Sequence, residues 1–347
     1  MHYFISVGIF LLVTVISSKS IELRIQGTTA NGWEFVRDSF EENFLQGRDL
    51  GGSMAIYHQG KLVVNLWGGW FNASKTQLYD NNTLQLVFST SKGLVAVAAA
   101  LCVQRGLLDY SALVTKYWPE YGQNNKTNTT VGHILSHRAG LPLDSSPFEQ
   151  LLNWTVMIQT LEQRAPMWSP GTKHGYHALT YGWLAGELVR RVDPMNRTLG
   201  QFIHDEIAKP LGIEFYIGLP SREEFRVSPL DIPSNGNGAT NESTSTTDNV
   251  FNDIRAHQAE IPAANGITNA QSVARLYASL IGDVEDQKYK RILDENILKQ
   301  ATESNTPNNE IDVVLNVSSK FGMGFLLLDD LSPSLGPGLF GHNGNIE

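Results

Sequence analysis

Cysteine is nearly absent from this chain. Cys102 is the single one in 347 residues, which excludes an internal disulfide framework and leaves stability to the core. It stands within LVAVAAALCV (residues 94–103), where an apolar setting predicts a buried, inert thiol rather than a nucleophile. Cations are in short supply: 26 Lys and Arg face 35 Asp and Glu, for a net charge of −9. That balance excludes a nucleic-acid surface and points to a small-molecule or peptide substrate. No apolar run is long enough to span a bilayer comfortably. The one candidate, FISVGIFLLVTVI (residues 4–16), is followed by Ser17, Ser18 and Ser20, the pattern of a signal peptide over residues 1–20 and of a secreted product. An uncleaved anchor is the alternative, because only His2 and no Lys or Arg precedes the run; beyond this segment no membrane contact is expected.

Several signatures of chemistry are also missing. There is no Gly-x-Ser-x-Gly elbow and no phosphate loop. His133 and His137 have zinc-protease spacing, but Ile134 stands where that chemistry needs a glutamate. His174 and His177 form a second close pair, and both pairs are read as core or capping residues, with no metal. Gly336-Pro337-Gly338-Leu339-Phe340-Gly341 fits the dinucleotide pattern formally, yet it contains a proline and is followed by too little chain for the helix the motif requires. No cofactor is expected.

What remains is ample for a folded protein. With 41% hydrophobic and 18% charged residues, a chain of this size buries a large core and divides into two lobes. Asn-x-Ser/Thr sequons at Asn72, Asn81, Asn125, Asn128, Asn153, Asn196, Asn241 and Asn316 give the secretory reading independent support. Trp33, Val36, Phe40 and Phe44 recur at helical spacing within residues 30–46, and residues 53–58 and 61–67 form a hairpin about Gln59-Gly60. Helices are expected at 107–121, 130–142, 149–163, 177–192, 198–209, 269–283 and 286–301, with a polar loop at 233–249 and β-rich chain from 320 onward. The pattern predicts an α+β fold: a sheet lobe (21–95 and 262–347) interrupted by a helical lobe (96–261).

Within this frame Phe88-Ser89-Thr90-Ser91-Lys92-Gly93 opens an apolar helix. Ser89 and Lys92, three positions apart, lie on one face about a turn apart, so the amine can reach the hydroxyl. Free N–H groups at a helix N-terminus favour a developing oxyanion there. One Ser-x-x-Lys is expected about once by chance in a chain this size, and a serine capping the helix is the plain alternative. Downstream, PGTKHGYHALTYGWLAGELVRR (170–191) places Tyr176 before an amphipathic helix, with Tyr181 as a rival, and FGHNGN (340–345) puts His342-Asn343-Gly344 at a strand end.

The order Ser-x-x-Lys, Tyr, polar-x-Gly resembles the serine β-lactamase and penicillin-binding-protein superfamily, within it most of all class C β-lactamases, their esterase relatives and animal β-lactamase-like hydrolases. KYWPEY, HILSHRAGLP, PAANGI and FGMGF extend the likeness from about residue 33 to the end. The resemblance implies a β-lactamase-like fold and acyl transfer through an ester on Ser89. It implies that Lys92 and Tyr176 share the proton work with lowered pKa values, and that His342, Gly344 and Asn345 form the substrate and oxyanion side, with N–H groups of Ser89 and Asn345 as donors. Two departures favour an esterase or peptidase over β-lactam breakdown. Tyr176-His177-Ala178 stands where many relatives have Tyr-x-Asn, and His342-Asn343-Gly344 stands where lactamases have Lys-Thr-Gly, so a fixed positive charge is absent. Relatives continue with two further strands and a terminal helix, so the chain is expected to lack C-terminal strands and helix. The competing reading is a non-catalytic β-lactamase-like binding or scaffold protein.

Overall fold

The computed structural model describes residues 25–142, 145–231, 250–328 and 337–344. The leader, the 233–249 loop with Asn241, and Asn345 lie outside the described residues. Near the N-terminus, β1 (Gln26–Thr29), α1 (Glu34–Leu45), β2 (Gly51–His58) and β3 (Lys61–Gly69) form one unit. Gln59 and Gly60 both have positive φ, 50° and 74°, the two-residue turn whose twist matches paired strands. The sheet order is β1-β3-β2. Val36, Phe40 and Phe44 of α1 pack on Val64 and Leu66 of β3, each buried aliphatic contributing about 1.5–3 kcal/mol.

The rest is arranged about α2 (Ser91–Gln104), whose residues from Ser91 to Cys102 are all buried. It is apolar on every side because it has neighbours on every side. The helices Thr180–Val192, Leu199–Ile203 and Glu295–Thr302 pack against it. β4 (Leu84–Leu86) leads into α2 and lies inside a four-stranded sheet, antiparallel to Ile267–Thr268 and parallel to Val227–Ser228, with Phe215–Tyr216 outermost. A third sheet pairs Lys320–Phe321, Leu326–Leu327 and Phe340–Gly341 antiparallel. The architecture is α+β, and two short strands lie inside the interval read as helical.

Three expected helices are shorter than their patterns. Over 107–121 the chain makes only tight turns at Val114–Lys116 and Pro119–Gly122, because Asp109 Oδ1 captures the Ser111 N–H and hydroxyl and Leu113 bridges to Thr130. Side-chain bonds of that kind compete with helix formation. The helix expected at 130–142 is α3 (Val131–Leu135) alone, since His137 turns left-handed at φ 60°. Glu285, Asp286 and Gln287 do the same, and helix resumes only at Glu295.

Candidate active site

The turn before α2 is the most constrained backbone of the site. Phe88 has φ 42°, a left-handed conformation that is strained for a bulky side chain. Ser91 holds it there: its Oγ donates to the Phe88 carbonyl at 2.5 Å and accepts the Gly266 N–H at 2.9 Å. Ser91 therefore neither caps the helix nor faces substrate. Ser89 sits two residues before the first helical residue, in a tight turn closed by the Lys92 N–H on the Ser89 carbonyl. The expectation that Ser89 opens the helix is corrected by those two residues.

Lys92 is fully buried in the first turn of α2. Its Nζ donates to Ser89 Oγ at 2.8 Å, to the Ala178 carbonyl at 2.7 Å and to the Ala263 carbonyl at 2.9 Å. Burial, with no carboxylate partner among the described residues, pushes its pKa well below 10.5. Two of these partners are main-chain atoms of alanines, which carry no sequence signal. One of them is the carbonyl of Ala178, which stands where many relatives have the asparagine of Tyr-x-Asn.

The Tyr176 hydroxyl donates to Ser89 Oγ at 2.7 Å, and Lys92 Nζ lies 4.9 Å from the ring centre. Tyr181 is buried in the helix Thr180–Val192 with its hydroxyl beside Gly324, so Tyr176 is the tyrosine at the serine. Its phenol is not lowered as expected: burial raises it to about 12, only partly offset by the bond to Ser89. At neutral pH it is a proton donor.

The four paired histidines have structural partners. His133 closes a capping box with Thr130 on α3. His174 Nδ1 meets Glu310 at 2.8 Å, and Glu310 also pairs with Arg138 at 2.5 Å. His177 Nδ1 donates to the Gly175 carbonyl at 2.6 Å while its Nε2 accepts the Leu141 N–H at 2.9 Å. Buried, it titrates at about 4. His137 lies against Tyr176, the rings tilted to each other with centres 4.9 Å apart.

Opposite Tyr176 stands His342, ring centres 6.0 Å apart. Its Nδ1 donates to the Asn343 carbonyl at 2.8 Å, leaving Nε2 as the free lone pair. Burial, then the Lys92 charge, lower it to about 3, so the ring is neutral at physiological pH. A Cβ at Gly344 would lie 2.4 Å from the Val87 carbonyl oxygen and 3.3 Å from Thr90 Oγ1. This close approach seats the strand end against the serine turn, as only glycine allows. Asn345, the expected second oxyanion donor, is outside the described residues. A cavity of about 970 Å³ opens behind this turn, with Val87, Phe88, Thr90 and Gly344 in its wall. Ser89, Lys92 and Tyr176 do not line it, so it is not the pocket of the serine.

Comparison with known proteins agrees with this geometry. The Beta-lactamase family model matches residues 37–346. The chain is 31% identical to the esterase/beta-lactamase LipL of Mycobacterium tuberculosis, over 74% of this chain and 64% of LipL, and 28% identical to a beta-lactamase of Escherichia coli, over 50% and 45%. It thus spans less than two thirds of the length of these relatives. Among solved structures, a family VIII carboxylesterase superposes with TM-score 0.83 at 33% identity, covering 92% of this chain and 88% of the other. EstA from Arthrobacter nitroguajacolicus Rue61a gives 0.80 at 31%, covering 92% and 87%. A match over nearly the whole chain, joined to a serine, a buried lysine and a tyrosine within hydrogen-bonding distance, places this chain in the beta-lactamase family.

Proposed function

We propose that this protein is a secreted serine hydrolase that forms an acyl-enzyme on Ser89 with an ester or amide, esterase-like rather than β-lactam-degrading. The observation that carries the reading is the convergence on Ser89 Oγ of Lys92 Nζ at 2.8 Å and the Tyr176 hydroxyl at 2.7 Å. A neutral amine has two N–H donors and one lone pair. The Ala178 and Ala263 carbonyls accept the two donors, and the lone pair is left for the Ser89 proton. On attack, Ser89 Oγ bonds to the substrate carbonyl carbon, its proton passes to Lys92, and the former carbonyl oxygen becomes an oxyanion. The donors proposed for that charge are the backbone N–H groups of Ser89 and of Asn345, the residue after His342-Asn343-Gly344. As the bond to the leaving group breaks, the Tyr176 hydroxyl, which orients Ser89 Oγ in the free enzyme, supplies the leaving group's proton, and the ammonium now on Lys92 offsets the phenolate left behind. Water then attacks the acyl ester and gives its proton to the Tyr176 phenolate; as the ester bond breaks, Lys92 returns its proton to Ser89 Oγ and the acid is released.

The esterase preference rests on His342. Neutral and buried, it offers no fixed cation to a β-lactam carboxylate, and relatives with esterase in their names point the same way. Secretion is supported by the sequons: Asn81, Asn125, Asn128, Asn153, Asn196 and Asn316 are exposed, where a glycan meets no steric bar. A fluorophosphonate probe tests the reading on protein from a secretory host. Wild-type protein labels, Ser89→Ala does not, Ser91→Ala retains labelling if it folds, and glycosidase treatment lowers the mass. A cooperatively melting wild type that never labels would instead favour the non-catalytic scaffold.

A further inference from the structure

Tyr176 belongs to no helix or strand: residues 173–177 are irregular chain. A phenol that must stay within 2.7 Å of Ser89 therefore needs its backbone fixed by something other than a hydrogen-bonded ladder. Three consecutive N–H groups supply the anchor points. The Gly175 N–H donates to the His137 carbonyl at 3.0 Å. The Tyr176 N–H donates to Asp312 Oδ2 at 2.9 Å. The His177 N–H donates to His137 Nδ1 at 3.0 Å. His137 thus grips the chain on both sides of Tyr176, once with its backbone and once with its ring, and Asp312 grips the residue between.

Both anchors are themselves built in. His137 is completely buried and holds φ 60°, and Phe321 packs edge-on against its ring with centres 4.4 Å apart. The left-handed turn is what lets one residue present a carbonyl and a ring nitrogen to the same strap. Because Nδ1 accepts, the ring proton sits on Nε2, and the neutral form is the one that works. Asp312 is also completely buried. Its other oxygen accepts the Val314 and Leu315 N–H groups at 2.8 Å each. It is tied into its own loop, and that loop meets the strap a second time through the Val313 N–H on the His174 carbonyl at 3.1 Å.

Resting on the serine-hydrolase reading above, we infer that His137 and Asp312 are positioning residues for Tyr176, clamping its backbone so that the phenol stands at Ser89. Neither touches the serine. Their effect on the reaction passes through Tyr176 alone, and that is the testable content.

Probe-labelling rates of single and double variants read it. His137→Leu and Asp312→Ala each remove an acceptor and are expected to slow labelling about 10- to 100-fold, the scale set by displacing a reacting group by about an ångström. His137→Asn keeps an acceptor and tolerates the left-handed backbone, and should stay within about three-fold of wild type. In a Tyr176→Phe background His137→Leu or Asp312→Ala should add less than about two-fold, because the group they position is gone. Fully multiplicative losses in that background would overturn the clamp, as would His137→Asn being as slow as His137→Leu. A second readout does not depend on activity: 3-fluorotyrosine at position 176, observed by fluorine NMR. Its resonance should move or broaden in Asp312→Ala and not in His137→Asn. An unmoved resonance in Asp312→Ala overturns the clamp even if the protein never labels, whereas a moved one in a non-labelling protein leaves the clamp standing and removes the hydrolase reading.

Discussion

An amine sealed from water must be satisfied by whatever atoms line its cavity, and among the described residues Lys92 has three oxygens and no carboxylate. The arrangement suits both protonation states: three acceptors for an ammonium, two for a neutral amine whose lone pair meets the serine. Burial decides between them in favour of the neutral form, since a buried charge without a counter-charge is expensive. With Lys92 lowered well below 10.5, labelling should rise with pH as the amine deprotonates and reach its plateau well below pH 10. Lys92→Arg, whose guanidinium keeps its proton, should lose about 10²- to 10⁴-fold in rate at every pH. A wild-type rate that climbs without levelling to pH 10 would contradict this assignment. His342 completes the residue-scale picture as the wall without charge, so exchanging it for lysine adds a cation that burial again neutralises, rather than a ready carboxylate receptor.

The helix that follows Tyr176 packs closely on the chain that holds Lys92. Gly182, in the helix Thr180–Val192, comes so close to the 262–263 chain that a Cβ there would lie 2.3 Å from the Ala263 nitrogen. Ala263 supplies one of the carbonyls that hold Lys92. Alanine for glycine inside a helix ordinarily stabilises by about 0.5–1 kcal/mol, but here the neighbour is backbone and has nowhere to go. Gly182→Ala should lower stability by about 1–3 kcal/mol and slow labelling with it; a higher melting temperature would refute the contact. This junction also marks the limit of what the residues spelled out in advance. Strong periodicity located α1 and the helices at 180–192 and 270–281, an unbroken apolar run located α2, and the turn residues located the hairpin. Ser89, Lys92 and Tyr176 were legible because their chemistry is tied to residue type. Ala178 and Ala263 were not, because carbonyl oxygens are common to all residues. Asp312 was equally silent, since its meaning lies in a contact across 136 positions of chain. Helices at 107–121 and 130–142 failed for a related reason: Asp109 and His137 divert the backbone through local bonds and a left-handed turn that periodicity does not register.

Over the whole molecule the buried histidines set the response to acid. His177 and His342 titrate at about 4 and about 3, and His137 well below 6.5, all because burial opposes their charged form. The unfolded chain takes up these protons as pH falls through about 6.5, whereas the native state refuses them until its own lower values. The unfolded state then binds more protons, so stability is full above about pH 6.5 and declines as pH drops towards 4. His177 alone accounts for about 3 kcal/mol of that loss by pH 4. Melting temperatures measured from pH 7.5 to 4.5 should fall steeply over this window, and a flat profile would remove the histidines from the account.

The burial of α2 on every side has a consequence in time. With Ser91 through Cys102 wholly inside, the amides of that helix are expected to exchange hydrogen only when the domain opens as a whole. Ser89 and Lys92 therefore persist as long as the native state itself. Tyr176 has no such helix around it, and its place rests on the three hydrogen bonds from residues 175–177 to His137 and Asp312. One half of the site is thus kept by burial of a whole helix and the other by a few named bonds.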